Sequence, residues 1–437
     1  MDYNKAMVKT ASREHTRKRL GRSSHSTDGS IKAESKPMNR SLRAAKAAKQ
    51  DEFYTQYVDI QKEVEAYLEF DPDTFRGKIV YCNCDDPFES NFFKYFAANF
   101  NRLGLKKLIS TSYDGSPIAG QMTLFPEYAE GNGKRKKPKA LAVIVDRVKD
   151  EDGDGAANVS DVALFLKRNK AARNPLKGDE GKYPGGDFRS AECVAFLKEA
   201  DIVVTNPPFS LFREYIAQLM EHGKKFLIIG NMNAITYKEV FPLLQRDMVW
   251  LGNNYRVNAG AMFFEIPEAV ANLDQVREVK TTESGGKVYI TRVQGVRWFT
   301  NLDHGRHHEP MELMSEADVI KFAKKKPFVK YDNYDAFEVS LVKHIPSDFD
   351  GVMGVPISFF DKYNPDQFEI VGTTESNDPD NACRTRVYTS KECRNAYQKI
   401  FGKPGVYDLN ASGVVNGVKV YKRVLIRHRR RTKGMKK

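Results

Sequence analysis

Residues 189–252 alternate in a way that few architectures accept. The pattern predicts a helix over 189–199, a strand over 201–205, a helix over 210–221, a strand over 225–230, a helix over 235–246 and a strand over 247–252. Strand, helix, strand at this spacing calls for parallel pairing, with helices on both faces of one sheet. The run Ala200-Asp201-Ile202-Val203-Val204-Thr205 is rich in β-branched residues and is stopped by Asn206-Pro207-Pro208-Phe209. Neither proline can donate to a ladder, so the strand ends there. Asn206 is thereby expected at the carboxyl edge of the sheet, where open α/β sheets bind ligands.

The pattern continues on either side. An amphipathic helix through Leu68 follows Asp51-Glu52-Phe53-Tyr54-Thr55-Gln56. A strand from Lys78 to Cys84 leads into Asp85-Asp86-Pro87, a helix runs from Ser90 to about Leu103, and a second strand from Lys107 to Ser112 ends in Tyr113-Asp114-Gly115. Gly, Pro and charge mark 115–139 as an inserted loop; a strand over 140–145 and a short helix near 159–170 come before Gly185-Gly186-Asp187-Phe188. Residues 260–266 and 286–299 read as a hairpin around Ser284-Gly285-Gly286 that closes the sheet with antiparallel strands. Beyond 300 the chain is irregular and aromatic, with short strands near 336–342 and 367–373. The fold class expected is α/β, with a sheet domain over 51–300 and a smaller region over 301–418.

An Asn-Pro-Pro-Phe turn suits one kind of chemistry. The exocyclic amine of a flat base is a poor nucleophile because its lone pair is delocalised into the ring. The Asn206 side-chain oxygen and the Pro207 carbonyl can each accept one N–H of such an amine and aim its lone pair at a methyl donor. Pro207 and Pro208 fix φ and hold that carbonyl still, which is preorganised polar catalysis. Phe209 can stack on the base, a contact worth roughly 1–3 kcal/mol. No metal, acid or covalent nucleophile is required. The competing reading is a plain turn after a strand, where Asn and Pro are common.

Charge is unevenly placed. The formal net charge is +13, with 13 Lys/Arg against 4 Asp/Glu in residues 1–50, and 10 Lys/Arg with no acid in 419–437. The body over 51–418 holds 47 basic and 53 acidic residues, so two basic arms flank a slightly acidic core. Basic arms of this kind contact polyanions, nucleic acid first among them. Residues 1–50 are expected to be disordered until bound, and 419–437 to be a basic tail. No apolar run approaches membrane-spanning length, and the amino terminus carries no apolar signal segment. Five cysteines without paired spacing argue for a reducing, cytoplasmic setting, and Cys82-Asn83-Cys84 lacks a second pair that would make a zinc site.

A methyl donor that carries an adenosine and an amino acid needs acids at strand ends. Asp85 and Asp86 follow the first strand, Asp114 the second, and Asp187 precedes the helix–strand unit that leads to Asn206. Helix capping is the alternative for each acid taken singly. The first loop lacks G-x-G-x-x-G, so a dinucleotide is excluded as the expected ligand.

Taken together these segments resemble the EcoRI-type DNA adenine-N6 methyltransferases. The resemblance runs through Asp51 to Tyr57, Val80 to Pro87, Ser90 to Phe96, Gly186 to Ser190, Ala200 to Tyr215, Ile235 to Phe241, Thr300 to Asp303, Tyr331 to Asp335 and Gly351 to Ile357. It spans about 51–375. It implies a Rossmann-like domain that uses S-adenosylmethionine, flips one adenine out of duplex DNA and methylates its N6. It implies that Tyr54 and Thr55 cap the amino-acid end of the cofactor, with Asp85 and Asp114 as strand-end acids and Asp187-Phe188 at the cofactor adenine. Trp298 falls where an aromatic residue flanks the target base, with a buried core tryptophan as the other reading, and 301–418 becomes the target-recognition region, with Arg384 and Arg386 as DNA contacts or, alternatively, two solvated arginines. A monomer is expected, and a companion restriction endonuclease is the protein partner that the resemblance allows. Two other readings stay open: an RNA or protein-glutamine methyltransferase with the same tetrapeptide, and a DNA-binding relative without catalysis.

Overall fold

The computed structural model describes residues 54–84, 90–113, 140–151, 153, 159–168, 173–254, 261–267, 276–281, 287–323, 327–375, 381–404 and 413–429. The chain divides into two compact units, with the division between Arg306 and His307. The amino-terminal arm and residues 430–437 lie outside the described residues.

The first unit opens with β1 (Tyr54–Thr55), α1 (Tyr57–Phe70), β2 (Ile79–Cys82), α2 (Asn91–Ala98), α3 (Phe100–Leu103), β3 (Lys107–Thr111) and β4 (Leu141–Val145). There follow α4 (Val159–Arg168), β5 (Arg173–Pro175), β6 (Gly178–Asp179), β7 (Tyr183–Pro184), α5 (Ala191–Glu199), β8 (Ile202–Thr205), α6 (Phe212–Glu221) and β9 (Lys225–Asn231). It ends with α7 (Phe241–Gln245), β10 (Trp250–Leu251), β11 (Ala261–Pro267), β12 (Val276–Thr281), β13 (Lys287–Gln294) and β14 (Val296–Thr300).

Eight strands form one mixed sheet in the order β10-β14-β9-β8-β2-β3-β4-β5. The four central strands β3, β2, β8 and β9 are parallel. All four residues of β2 and of β8 are buried, as continuous apolar strands covered on both faces must be. Strands β4, β5 and β14 run antiparallel to their inner neighbours, and β10 pairs antiparallel with β14. Packing follows simple rules on the helices. α1 buries Ile60, Val64 and Tyr67 on one stripe. Ser90 caps α2 by accepting the Phe92 N–H, and the helix then buries Phe92, Phe93, Tyr95 and Phe96.

Two expectations are corrected here. The stretch 260–266 and 286–299 does not close the large sheet as one hairpin. β11 and β13 pair with each other but sit in a separate four-stranded sheet, β1-β11-β13-β12. Gly295 at φ +73 breaks the strand, and only β14, buried at every residue, enters the large sheet between β9 and β10. The helix expected over 235–246 is a 3-10 turn over Met232–Thr236 followed by α7, whose first turn carries Pro242.

The second unit contains α8 (Glu316–Phe322), β15 (Phe328–Lys330), β16 (Phe337–Val339), β17 (Met353–Val355), β18 (Phe368–Thr373), α9 (Ser390–Phe401), β19 (Gly413–Val415), β20 (Val418–Val420) and β21 (Val424–His428). Its five-stranded sheet has the order β15-β16-β17-β21-β18. The basic tail expected over 419–437 is therefore corrected for 424–428, which lie inside this sheet as β21. The reason is the apolar triplet Val424, Leu425 and Ile426, each almost fully buried. Arg423 and Arg427 are paired with Glu338 and Glu369. No helix among the described residues is long and apolar enough to cross a membrane.

Candidate active site

Parallel pairing brings the carboxyl ends of β3, β2 and β8 side by side, and this row positions the site. Cys82 pairs with Ser110 and Tyr81 with Val203, so Asn83, Thr111 and Thr205 fall level with one another. All three are buried, at 1%, 0% and 0% exposure, and buried polar groups must find partners. The Thr205 hydroxyl donates to the Asn83 carbonyl. The Asn83 side-chain oxygen accepts from the Thr111 hydroxyl at 3.1 Å and from the Cys84 N–H at 2.8 Å. The Tyr81 hydroxyl lies 3.0 Å from the Thr111 hydroxyl oxygen.

Asn206 follows Thr205 directly and is half-buried; Pro207 is buried. Pro208 at φ −55 and ψ 121 leads into a 3-10 turn over Phe209–Leu211, closed by the Leu211 N–H donating to the Pro208 carbonyl at 2.9 Å. The chain then continues as α6. Phe209 is partly buried against the main apolar cluster of the first unit. Asn206, Pro207, Pro208 and Phe209 are thus one short rigid segment at the carboxyl edge, next to the loop after β2.

Thr55 lies on β1, which pairs with β11. Its carbonyl accepts from the Asn91 side chain at the start of α2, at 2.8 Å. Its hydroxyl is buried and meets no hydrogen-bond partner among the described residues. A buried hydroxyl left in this way costs about 1–3 kcal/mol, so it fits a polar group of a ligand. Tyr54 belongs to the same strand. Asp85, Asp86 and Asp114 lie outside the described residues.

Asp187 and Phe188 are drawn into the fold. Asp187 is 5% exposed, and its oxygens accept from the Arg189 backbone N–H at 3.0 Å, Nε at 2.9 Å and one terminal nitrogen at 2.8 Å. These bonds, with Glu214 at 2.8 Å on another terminal nitrogen, raise the Arg189 pKa and keep it charged. Phe188 is 2% exposed and packs edge-on against Tyr215, with centroids 4.9 Å apart. Any ligand contact at Asp187 would share the carboxylate with Arg189.

Trp298 takes the second of its two readings. It is a core residue, 2% exposed, with its ring edge against Phe92 at 5.8 Å. It pairs with Ile229, one residue beyond the Thr205–Ile228 pair, so its backbone is level with Asn206 while its side chain is taken up in the apolar core. Its backbone N–H donates to the Asn254 side chain at 2.9 Å. Arg384 and Arg386 belong to the second unit and line one shallow depression with Asn333 and Tyr388. Arg384 donates to the Glu375 carbonyl at 2.6 Å. Arg386 pairs with Glu392 at 2.6 Å and lies 4.3 Å over the Tyr388 ring.

Sequence reasoning did not single out Asn83, Thr111, Thr205, Asn91 or Arg189. A signal was present for Asn83: an asparagine after a strand and before a residue that must turn the chain. A cleft of about 440 Å³ lined by Lys78, Asp201, Ile202 and Lys225 opens at the amino ends of β2, β8 and β9. It is on the edge opposite Asn206.

Comparisons with known proteins show which family the chain resembles. The model of the family described as adenine-specific methyltransferase EcoRI matches residues 41–429. Type II methyltransferase M.EcoRI of Escherichia coli is 42% identical over 339 residues, covering 76% of this chain and 89% of the relative. Type II methyltransferase M.MpnI of Mycoplasma pneumoniae is 36% identical over 327 residues, covering 75% and 83%. Type II methyltransferase M.MgeORF184P of Mycoplasma genitalium is 33% identical over 390 residues, covering 88% and 97%. No solved structure matches the chain. With nearly the whole chain matched, strand-end tetrapeptide included, the protein belongs to the adenine-specific methyltransferase EcoRI family.

Proposed function

We propose that the protein transfers a methyl group from S-adenosylmethionine to N6 of an adenine flipped out of duplex DNA, at a specific site. The observation that carries this reading is the fixed Asn206-Pro207-Pro208-Phe209 segment at the carboxyl end of β8 in a family of adenine-specific methyltransferases. The strand order supports a Rossmann-like methyltransferase sheet. Its centre is parallel, and one antiparallel strand, β14, is inserted between β9 and β10.

When bound, S-adenosylmethionine supplies an electrophilic methyl on a sulfonium. Thr55, with its buried hydroxyl, and Tyr54 beside it hold the amino-acid end. Asp85, Asp86 and Asp114 at the loops after β2 and β3 take the ribose and ammonium groups, and Asp187 borders the adenine side. Asn206 and the Pro207 carbonyl would accept the two N6 hydrogens and direct the nitrogen lone pair outward; the new N–CH3 bond would form as the donor's methyl–sulfur bond breaks, the sulfur leaving as a neutral thioether and one N6 proton passing to solvent. Phe209 stacks on the flipped base, which recovers part of the few kcal/mol that flipping costs. The second unit reads base edges, with Arg386 the more available of the two arginines because its ion pair is exposed. One active site per monomer suffices, because each strand is methylated in its own event.

The test is Asn206→Ala in a radiolabelled methyl-transfer assay, with turnover expected to fall by about 10²–10³ while duplex binding stays near wild type. Unchanged turnover would refute the assignment. A substrate panel of duplex DNA, RNA and a glutamine-containing protein fixes the acceptor; methylation of only RNA or protein would replace this reading.

A further inference from the structure

We propose that Asn83, Thr111 and Thr205 are positioning residues that lock the donor loop after β2 to the catalytic loop after β8. The inference rests on the function proposed above and deepens it. Many nucleotide-binding loops at this edge use glycine to let the backbone turn. This chain has Asn83-Cys84-Asp85-Asp86 instead, and Cys84 takes a left-handed backbone with φ +62. A non-glycine residue there has to be held by its surroundings. The Asn83 side-chain oxygen does so by accepting the Cys84 N–H at 2.8 Å.

The same residue reaches both neighbouring strands. Its side-chain oxygen accepts the Thr111 hydroxyl from β3 at 3.1 Å, and its carbonyl accepts the Thr205 hydroxyl from β8. Thr205 is bonded directly to Asn206. A chain of three residues therefore runs from the turn expected to hold the donor to the amide expected to hold the acceptor. All of it is buried at 1% exposure or less, so water cannot replace a lost bond. In-line transfer depends on the relative placement of donor and acceptor, and a displacement of about 1 Å can cost on the order of 10²-fold in rate. A purely structural reading, two satisfied core hydroxyls and an amide, predicts lost stability without a specific defect in transfer.

Thr205→Val tests the point, because it keeps the shape and removes only the hydroxyl. The expected result is a fall in kcat of roughly 10–100-fold on duplex DNA. In direct titration S-adenosylmethionine should bind about 5-fold more weakly, with DNA binding unchanged, and Thr205→Ser should restore kcat to within about 3-fold. Thr111→Val and Thr111→Ser form the second pair should Thr205→Val fold poorly, with the same pattern expected. Wild-type kcat in both valine variants would overturn the proposal, as would a loss that tracks the folded fraction alone or that serine fails to rescue. The two readings are separable. An inactive Asn206→Ala beside a fully active Thr205→Val removes only the coupling, whereas an active Asn206→Ala removes the catalytic assignment beneath it.

Discussion

Glu63 shows how a single side chain can tie a helix to a sheet edge. It sits on α1 at 1% exposure, and its carboxylate accepts the N–H groups of Asn253 at 2.6 Å and Asn254 at 2.8 Å, plus the Tyr67 hydroxyl at 3.3 Å. A side chain at Gly252 would place its Cβ 2.2 Å from a Glu63 oxygen, so the approach requires glycine. Burial pushes the acid up to about 7 from 4.5, against the pull of the two backbone donors and the hydroxyl. A raised acid binds its proton more tightly when folded. The associated stability is thus fully present below about pH 4.5 and is lost as pH rises through about 7. Melting of the wild type against Glu63→Gln should show the wild type losing on the order of 3 kcal/mol relative to the variant across that window, with a flat difference above it. Parallel pH profiles for the two proteins would exclude the effect. Glu63→Ala at pH 7.5 leaves two buried N–H groups unmet and should cost roughly 2–4 kcal/mol in urea unfolding.

At the level of elements, the close approach of two loops matters more than any side chain. Gly186, in the loop that precedes α5, has φ +76, and a Cβ there would lie 1.8 Å from the Ser112 carbonyl oxygen at the end of β3. Backbone meets backbone, and neither can move without shifting a strand end. Gly77, just before β2, has a similar φ of +69 but nothing within 4 Å of its would-be Cβ. The two positions separate conformational strain from steric overlap. Gly77→Ala should cost only about 1–2 kcal/mol, the left-handed penalty. Gly186→Ala should cost at least about 3 kcal/mol, because the overlap adds to the strain. Chemical denaturation of both variants checks this, and equal losses would mean that the loops are free to part. Much of this layer was legible in the chain. Apolar runs bounded by Asn-Pro-Pro and by Gly-rich turns mark β2, β3, β4, β8 and β9 at nearly their observed limits. The separation of β11 and β13 from the large sheet was not legible, because a break at one glycine in a continuous β-prone run has no local signature.

Over the whole molecule, charge placement governs how the protein meets a polyanion. The sequence count puts ten basic residues in 419–437, but Lys422, Arg423 and Arg427 are engaged by Glu375, Glu338 and Glu369. Those three of the ten are therefore neutralised within the fold. Replacing Arg430, Arg431 and Lys433 with serine in the full chain should weaken duplex binding without changing sequence preference. The slope of log K against log salt should fall by roughly 0.9 for each phosphate that is no longer neutralised, about 2–3 in all. An unchanged slope would show that these residues do not touch the DNA backbone.

By itself the sequence determined the α/β class, the strand that stops before Asn206 and the proline-stiffened turn that follows it, because apolar periodicity and proline chemistry are local. Tertiary structure alone decided which residues share a row. Asn83, Thr111 and Thr205 are 28 to 122 positions apart along the chain, and only the parallel register brings them level. It also decided that Trp298 is core and that Val424–His428 is a sheet strand. Burial depends on what covers a residue from both sides, and no stretch of chain carries that information about its own neighbours.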